Sequence, residues 1–101
     1  MQIDKSDHKA FLFNLLSLEE TPQGIQRRTF EIDKLMIASS TARKLKEGAD
    51  EMDNSVQFYE GKVEFEPEEW VLLKEWLNKK NRATLVESES LFELKEIFNQ
   101  K

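Results

Sequence analysis

The chain has 101 residues and a mass of 11.9 kDa, and it carries a net charge of -5 with 35% charged residues and no cysteine. A chain of this length buries about two thirds of its unfolded surface, so we expect one domain over residues 1–101. The absence of cysteine excludes disulfides, a thiolate nucleophile and Cys-ligated zinc. No apolar run approaches the about 20 residues that a bilayer requires, so we expect a soluble, cytoplasmic protein that does not contact membranes.

The first half of the chain predicts two helices. Apolar residues recur at helical offsets over residues 7–18, behind Ser6 as the N-cap. The second helix begins at Thr21-Pro22 or one turn later, since proline is favoured at the first helical position. Its apolar stripe covers residues 25–47, and Gly48 provides the stop.

The period of the apolar residues changes from 3.6 to 2 after the polar loop 49–55. Residues 56–59 and 63–66 alternate in polarity and predict two short strands. Glu60-Gly61 lies between them, so a hairpin is the simplest connection. An all-helical fold remains the alternative if residues 56–65 are irregular.

Two further helices follow the predicted hairpin. The passage Glu66-Pro67-Glu68-Glu69 opens the third, with proline at the first position and acids in the first turn. After a linker, Ser90-Leu91-Phe92-Glu93 has the pattern of a capping box that opens the fourth. The predicted fold class is therefore α+β and mainly helical, with four helices and a short β-hairpin between helices 2 and 3.

Residues for catalysis or cofactor binding are nearly absent. The chain has one histidine, His8, which we expect to be an exposed structural residue because no serine elbow or second histidine accompanies it. The three glycines are too far apart for a phosphate loop, and the acidic stretch 50–55 lacks the ligand spacing of an EF-hand. We therefore expect no enzyme activity, no cofactor and no metal.

The charge is unevenly distributed along the chain. Residues 47–69 contain nine acids and only one base, whereas the remainder has a net charge of +3. Basic groups at 27–28, 43–46 and 79–82 are short, so direct binding of nucleic acid is not expected. The acidic region is either a solvated surface or a docking face for a basic partner.

Aromatic residues are concentrated between residues 58 and 76, where they either fill the core or anchor an interface. We assign Phe65, Trp70 and Leu73 to the core, and Tyr59 and Trp76 to an interface. Together with the predicted hairpin, which is too small to be a complete sheet, they predict a surface for a protein partner.

The passage 62–77 runs from an acidic strand into a helix with the pattern acid-acid-aromatic-x-Leu-Leu-Lys, formed here by residues 68–74. With a Leu-rich helix and a longer charged helix before it, this passage resembles small proteins encoded by tailed bacteriophages and prophages. The resemblance implies a phage-encoded accessory protein that acts in the host cytoplasm. It supplies no catalytic or binding residues.

Two functional hypotheses follow. The first is a non-catalytic protein-interaction module that binds a host or virion protein. The alternative is an acidic inhibitor that mimics nucleic acid, with the carboxylates of Glu64, Glu66 and Glu68 in place of phosphates.

We also expect a two-fold homodimer, formed through helix 2 or the hairpin edge. A helix of two dozen residues is about 35 Å long, more than a small domain covers on its own. The small residues 38–42 would allow close packing with a second copy. A compact monomer follows instead if this helix is kinked or ends near Ser39-Ser40.

Overall fold

The computed structural model describes residues 2–80 and 82–100, which form four helices connected by short strands. The helices are α1 (Ser6–Ser17), α2 (Ile32–Leu45), α3 (Pro67–Lys79) and α4 (Leu85–Phe98). The strands are β1 (Gln2–Ile3), β2 (Leu18–Thr21), β3 (Gly24–Arg27), β4 (Asp50–Met52), β5 (Ser55–Gln57) and β6 (Val63–Glu64). The predicted α+β, mainly helical fold class is confirmed.

The strands form three separate antiparallel pairs. A hairpin of β2 and β3 connects α1 to α2, and a second hairpin of β4 and β5 follows α2. The third pair joins distant parts of the chain, because β1 pairs with β6 in the register Ile3↔Val63. Each pair has only two strands, so its stability depends on packing against the helices.

The core lies among α1, α3, α4 and the second half of α2. Five leucines have no exposed surface: Leu12, Leu45, Leu73, Leu77 and Leu94. Trp70 stacks on the buried Phe98, with 3.9 Å between ring centroids and 14° between ring planes. Phe65 and Leu73 are buried and Trp70 packs against the core, so their assignment to the core is confirmed.

The predicted start of helix 2 is wrong by several residues. Residues 21–27 belong to the β2–β3 hairpin, and α2 begins at Ile32. The reason is that Thr21-Pro22-Gln23-Gly24 forms a turn, with proline and glycine at positions that β-turns favour. With 14 residues, α2 is about 21 Å long, so the length on which the predicted homodimer rested is not present.

A hairpin lies between α2 and α3 as predicted, and β5 overlaps the first predicted strand, but its pairing differs from the prediction. β5 pairs with β4, which occupies part of the predicted loop 49–55. Asp53 has a positive φ of 49° at the turn, a conformation that aspartate tolerates better than most residues. The second predicted strand begins at Val63 but pairs with the N-terminal strand instead.

Helix α1 begins one residue earlier than predicted. Lys5 is the N-cap, and Ser6 is the first helical residue. The carboxylate of Glu60 accepts hydrogen bonds from the Ser6 backbone nitrogen at 3.2 Å and from its hydroxyl at 3.1 Å. A distant acid therefore performs the capping that the sequence assigned to Ser6.

Helix α4 begins at Leu85 and not at the predicted capping box. Thr84 is its N-cap, and the Thr84 hydroxyl accepts a hydrogen bond from the Glu87 backbone nitrogen at 3.3 Å. Ser90 lies inside the helix. The earlier start leaves Leu85 and Val86 90% and 92% exposed in the first turn.

Candidate functional site

A groove of about 1140 Å³ lies between the β2–β3 hairpin and the N-terminal part of α4. Helix α1 and the C-terminal end of α3 form the rest of its lining. Its large apolar lining residues come from all of these elements: Phe11, Leu15, Leu18, Ile25, Trp76 and Val86. The groove is larger than the range of about 300–1,000 Å³ that small-molecule sites occupy, and it is open to solvent along its length.

The wall formed by the hairpin depends on its turn. The Thr21 hydroxyl donates to the Gly24 carbonyl at 2.7 Å and accepts from the Gln23 backbone nitrogen at 3.3 Å. The register pairs Glu20 with Ile25, and side chains two residues apart share a strand face. Leu18 and Ile25 therefore lie on the same face as Glu20, and all three line the groove.

Arg28 attaches the hairpin to the helices. Its guanidinium donates to the backbone carbonyls of Leu15 at 2.8 Å and Leu18 at 2.9 Å, at the end of α1 where a cation is favoured. It also lies 4.0 Å from the centroid of the Trp76 ring, and burial lowers the pKa of Arg28 while Glu19 opposes that shift. These contacts make Arg28 a structural connection between the hairpin and the helices.

Trp76 was predicted at an interface, and the structure places it at one end of the groove. Phe30 packs edge-on against its ring at 6.1 Å, and the Lys79 amine lies 4.6 Å from the ring centroid. Its indole nitrogen is buried, without a hydrogen-bond partner among the described residues. Contacts with Arg28, Phe30 and Lys79 show that Trp76 has a structural role, holding the hairpin against α3.

The charges of the groove are balanced. Its lining contains the acids Asp7, Glu19, Glu20 and Glu87 and the bases Arg28, Lys79, Lys80 and Arg82. Two of the acids form ion pairs across the groove wall, with 3.8 Å between Arg28 and Glu19 and 3.6 Å between Lys80 and Glu20. The lining therefore has no excess of either sign.

Tyr59, the second predicted interface aromatic, does not line the groove. It lies between β5 and β6, is 48% exposed, and donates from its hydroxyl to the Asp50 carboxylate at 2.8 Å. That hydrogen bond is the main reason that the pKa of Tyr59 is raised. The buried Lys9 amine donates to the Tyr59 carbonyl at 2.8 Å and fixes the backbone there.

The predicted acidic residues Glu64, Glu66 and Glu68 are exposed and also lie outside the groove. Glu64 pairs with Gln2 in the β1–β6 register. Glu66 is the N-cap of α3 and Glu68 lies in its first turn, where the helix dipole favours acids. The structure brings these three acids to the start of α3, away from Trp76.

A buried carboxylate, Glu69, connects α2 to α3. It is 2% exposed and accepts hydrogen bonds from the Lys44 amine at 2.6 Å, the Ser40 hydroxyl at 2.6 Å and the Glu66 backbone nitrogen at 2.7 Å. Burial by itself would raise the pKa of Glu69, but these hydrogen bonds outweigh it and leave the pKa below its usual value. Its contacts show a structural role.

His8 was expected to be exposed, and that prediction is wrong. It is 3% exposed, and its Nε2 lies 3.0 Å from the Glu93 carboxylate, which also accepts from Lys5 at 3.3 Å. The hydrogen bond with His8, followed by that with Lys5, lowers the pKa of Glu93. This contact joins α1 to α4.

The basic groups named from the sequence mostly bind other parts of the same chain. Arg28 binds carbonyls and Trp76, Lys44 binds Glu69, and Lys46 forms an ion pair with Glu51. Within residues 2–80 and 82–100, no three side chains of the metal-ligating types form a cluster. No described helix is long and apolar enough to cross a membrane.

The sequence placed Leu18 and Ile25 on helices, and so it did not indicate the groove. The signal that would have revealed it was the Thr21-Pro22-Gln23-Gly24 turn between two short segments, which is typical of a hairpin. Comparisons of the chain with protein-family models, with curated proteins and with solved structures gave no match.

Proposed function

We propose that this protein is a non-catalytic protein-interaction module, and that the groove between the β2–β3 hairpin and α4 binds a segment of a partner protein. The observation that carries the proposal is the exposure of apolar side chains around the groove. Leu18, Ile25 and Val86 are 41%, 70% and 92% exposed there. Exposed apolar residues grouped around a groove are typical of an interaction site.

The lining favours a peptide segment as the ligand. A nucleic acid requires an excess of basic residues, whereas the groove has equal numbers of acids and bases. Apolar side chains of a partner would bury Leu18, Ile25 and Val86, and its polar groups would meet the mixed charges of the rim. The volume of about 1140 Å³ accommodates several side chains at once.

The resemblance of residues 62–77 to small phage proteins supports a bacterial host protein or a virion protein as the partner. The absence of any catalytic set in the sequence supports a role in binding. Neither argument depends on the groove, so the groove itself can be tested separately.

A photo-crosslinking amino acid at Ile25 tests the site in a bacterial lysate. We expect it to capture a distinct partner, and we expect excess wild-type protein, but not the Ile25→Glu variant, to compete for capture. Val71 is the matched control position, because it is 61% exposed and apolar but lies on α3 outside the groove. A Val71→Glu variant should compete as well as the wild-type protein.

Equal capture from Val71 and Ile25, or equal competition by the two Glu variants, would contradict the groove as the binding site. Circular dichroism of each variant shows whether it is folded. The comparison therefore separates loss of a binding surface from loss of structure.

An acidic mimic of nucleic acid is the second candidate, and the exposure of Glu64, Glu66 and Glu68 favours it. Glu64 lies in β6, Glu66 is the N-cap of α3 and Glu68 lies in its first turn, so the three carboxylates form one short, exposed acidic stretch. If this candidate is correct, DNA competes with the protein for its target. The triple substitution to Lys then abolishes binding, whereas Ile25→Glu leaves it unchanged.

A further inference from the structure

The outward face of α2 differs between its two halves. Ile32, Met36, Ser39 and Arg43 recur at helical spacing and lie on one face, opposite the buried Thr41 and Leu45. In the first half, this face is an apolar ridge: Ile32 and Met36 are 84% and 75% exposed, and Leu35 beside them is 49% exposed. Residues of this size are usually covered when several occur together on one helix face.

In the second half, the same face forms a cleft. This cleft is an open depression of about 310 Å³, lined by Ser39, Ala42, Arg43 and Lys46 of α2 and by Phe13 of α1. The Lys46 amine lies 5.7 Å from the centroid of the Phe13 ring. One helix face thus presents both a ridge and a cleft, separated by about two turns.

The charges that flank this face are opposite in its two halves. Glu31 and Asp33 flank the ridge, while Lys34 of the same half pairs with Glu75 on α3 at 3.9 Å. Arg43 and Lys46 flank the cleft, and Lys46 also forms an ion pair with Glu51. When two copies of such a helix lie antiparallel, the ridge of each faces the cleft of the other. The acids of each copy then lie beside the bases of the other, and the helix dipoles oppose each other favourably.

We propose that this face of α2 binds a second copy of the chain in a two-fold, antiparallel dimer, in which Ile32 and Met36 of each copy fill the Phe13–Arg43 cleft of the other. A two-fold interface uses one self-complementary patch, which the ridge and the cleft together provide. Met36 of one copy lies level with Ser39 of the second copy, whose small side chain allows close approach. This surface is separate from the proposed partner groove.

Sedimentation velocity over a concentration series that reaches the millimolar range tests the dimer. We expect the mass to rise from 11.9 kDa towards twice that value as concentration increases. Met36→Lys places a positive charge against the cleft that Arg43 and Lys46 flank, and it should raise the dissociation constant by at least about tenfold, which corresponds to 1.4 kcal/mol. Ile25→Glu is the matched control, because it also replaces an exposed apolar residue with a charged one, but outside α2.

A mass that stays at 11.9 kDa over the whole series would overturn the proposal. So would an equal weakening of the dimer by Met36→Lys and Ile25→Glu. Ile25→Glu is expected to lose competition for the partner but to leave the dimer unchanged. The partner groove and the dimer face can therefore each fail their own test without affecting the result for the other.

Introduced cysteines test the antiparallel orientation, since the natural chain has none. In the proposed dimer, Ile32 of one copy lies level with Arg43 of the second copy, and the two Ile32 positions are about 16 Å apart. A mixture of Ile32→Cys and Arg43→Cys chains should therefore form a disulfide-linked pair, and Ile32→Cys alone should not. Efficient linkage of Ile32→Cys to itself, without linkage to Arg43→Cys, would overturn the orientation.

Discussion

Residues 18–36 and the helical core differ in how they are held in the fold. No residue from Leu18 to Met36 is buried, although this stretch includes the β2–β3 hairpin and the first turn of α2. In the core, by contrast, Leu12, Leu73 and Leu94 have no exposed surface at all. The first region is attached through a few specific contacts, and the second through continuous apolar packing.

The difference separates the residues that stabilise the fold from the apolar residues that the fold leaves exposed. Burial of apolar area stabilises the core, so its leucines determine whether the chain folds. The exposed apolar residues at 25, 32 and 36 add little to folding and are available to other molecules. Both proposed interaction surfaces use residues from this stretch.

Truncation of the core should have the largest effect. Leu73→Ala removes a fully buried side chain from the centre of α3 and leaves a cavity. We expect the free energy of unfolding to fall by about 2–5 kcal/mol. Urea denaturation followed by circular dichroism measures this change, and Leu35→Ala on the exposed face of α2 is the matched control. Similar losses for both variants would show that residues 18–36 contribute to the core after all.

Removal of the connection between the two regions should have a smaller and local effect. Arg28→Ala removes hydrogen bonds to the Leu15 and Leu18 carbonyls and the contact with Trp76. We expect a loss of about 1–3 kcal/mol, because the hydrogen bonds involve a charged donor. Amide exchange of the β2–β3 hairpin should accelerate more than that of α4.

Arg27→Ala is the matched control for this experiment, since Arg27 is the neighbouring residue and is exposed. Its substitution should leave hairpin exchange unchanged. If both arginine variants accelerate exchange equally, Arg28 does not attach the hairpin in the way that its contacts indicate.

The core was largely predictable from the sequence. The apolar spacing of α1, α3 and the end of α2 predicted their buried stripes, because burial on one side of a helix imposes a period of 3.6. The hairpin at Leu18–Arg27 was missed because Ile25 and Ile32, spaced by seven, also fit a helical stripe. The two residues are in fact on different elements, and both are exposed.

Contacts between distant parts of the chain could not be predicted. The pairing of Val63 with Ile3, the capping of Ser6 by Glu60 and the contact of His8 with Glu93 all join residues that are more than 50 positions apart. No local pattern specifies such partners, since they depend on how the helices pack. The groove was missed for the same reason, because its lining combines residues 7–28 with residues of α3 and α4 that follow much later in the chain.

Acid should weaken the contacts between core helices. The pKa values of Glu69 and Glu93 are both lowered in the folded protein, so between the folded and unfolded pKa values the unfolded chain binds more protons. Their contribution to stability is complete above the ordinary value of 4.5 and is lost as pH falls through the folded pKa. Urea denaturation at a series of pH values below neutrality measures this loss.

Glu93→Gln is the variant that isolates one of these two carboxylates, because it retains the size of the side chain and removes its titration. The range from about pH 5 to about pH 3 spans roughly one pH decade on either side of the usual carboxyl pKa. Over this range, the variant should lose less stability than the wild-type protein does. The difference between the two losses reports on the contact of Glu93 with His8 and Lys5. An unchanged pH profile would show that Glu93 does not contribute, and that Glu69 accounts for the acid sensitivity.

Substitution of an exposed apolar residue in the first region should have the smallest effect on folding. Ile25→Thr retains the β-branched shape that a strand favours, and Ile25 is 70% exposed. The change in the free energy of unfolding should therefore stay within about 0.5 kcal/mol. Partner capture should nevertheless weaken, because the groove loses an apolar contact. Thermal denaturation and the crosslinking assay, applied to the same variant, compare the two effects directly. A fall in stability as large as that of Arg28→Ala would mean that Ile25 supports the hairpin, and unchanged capture would mean that Ile25 does not contact the partner.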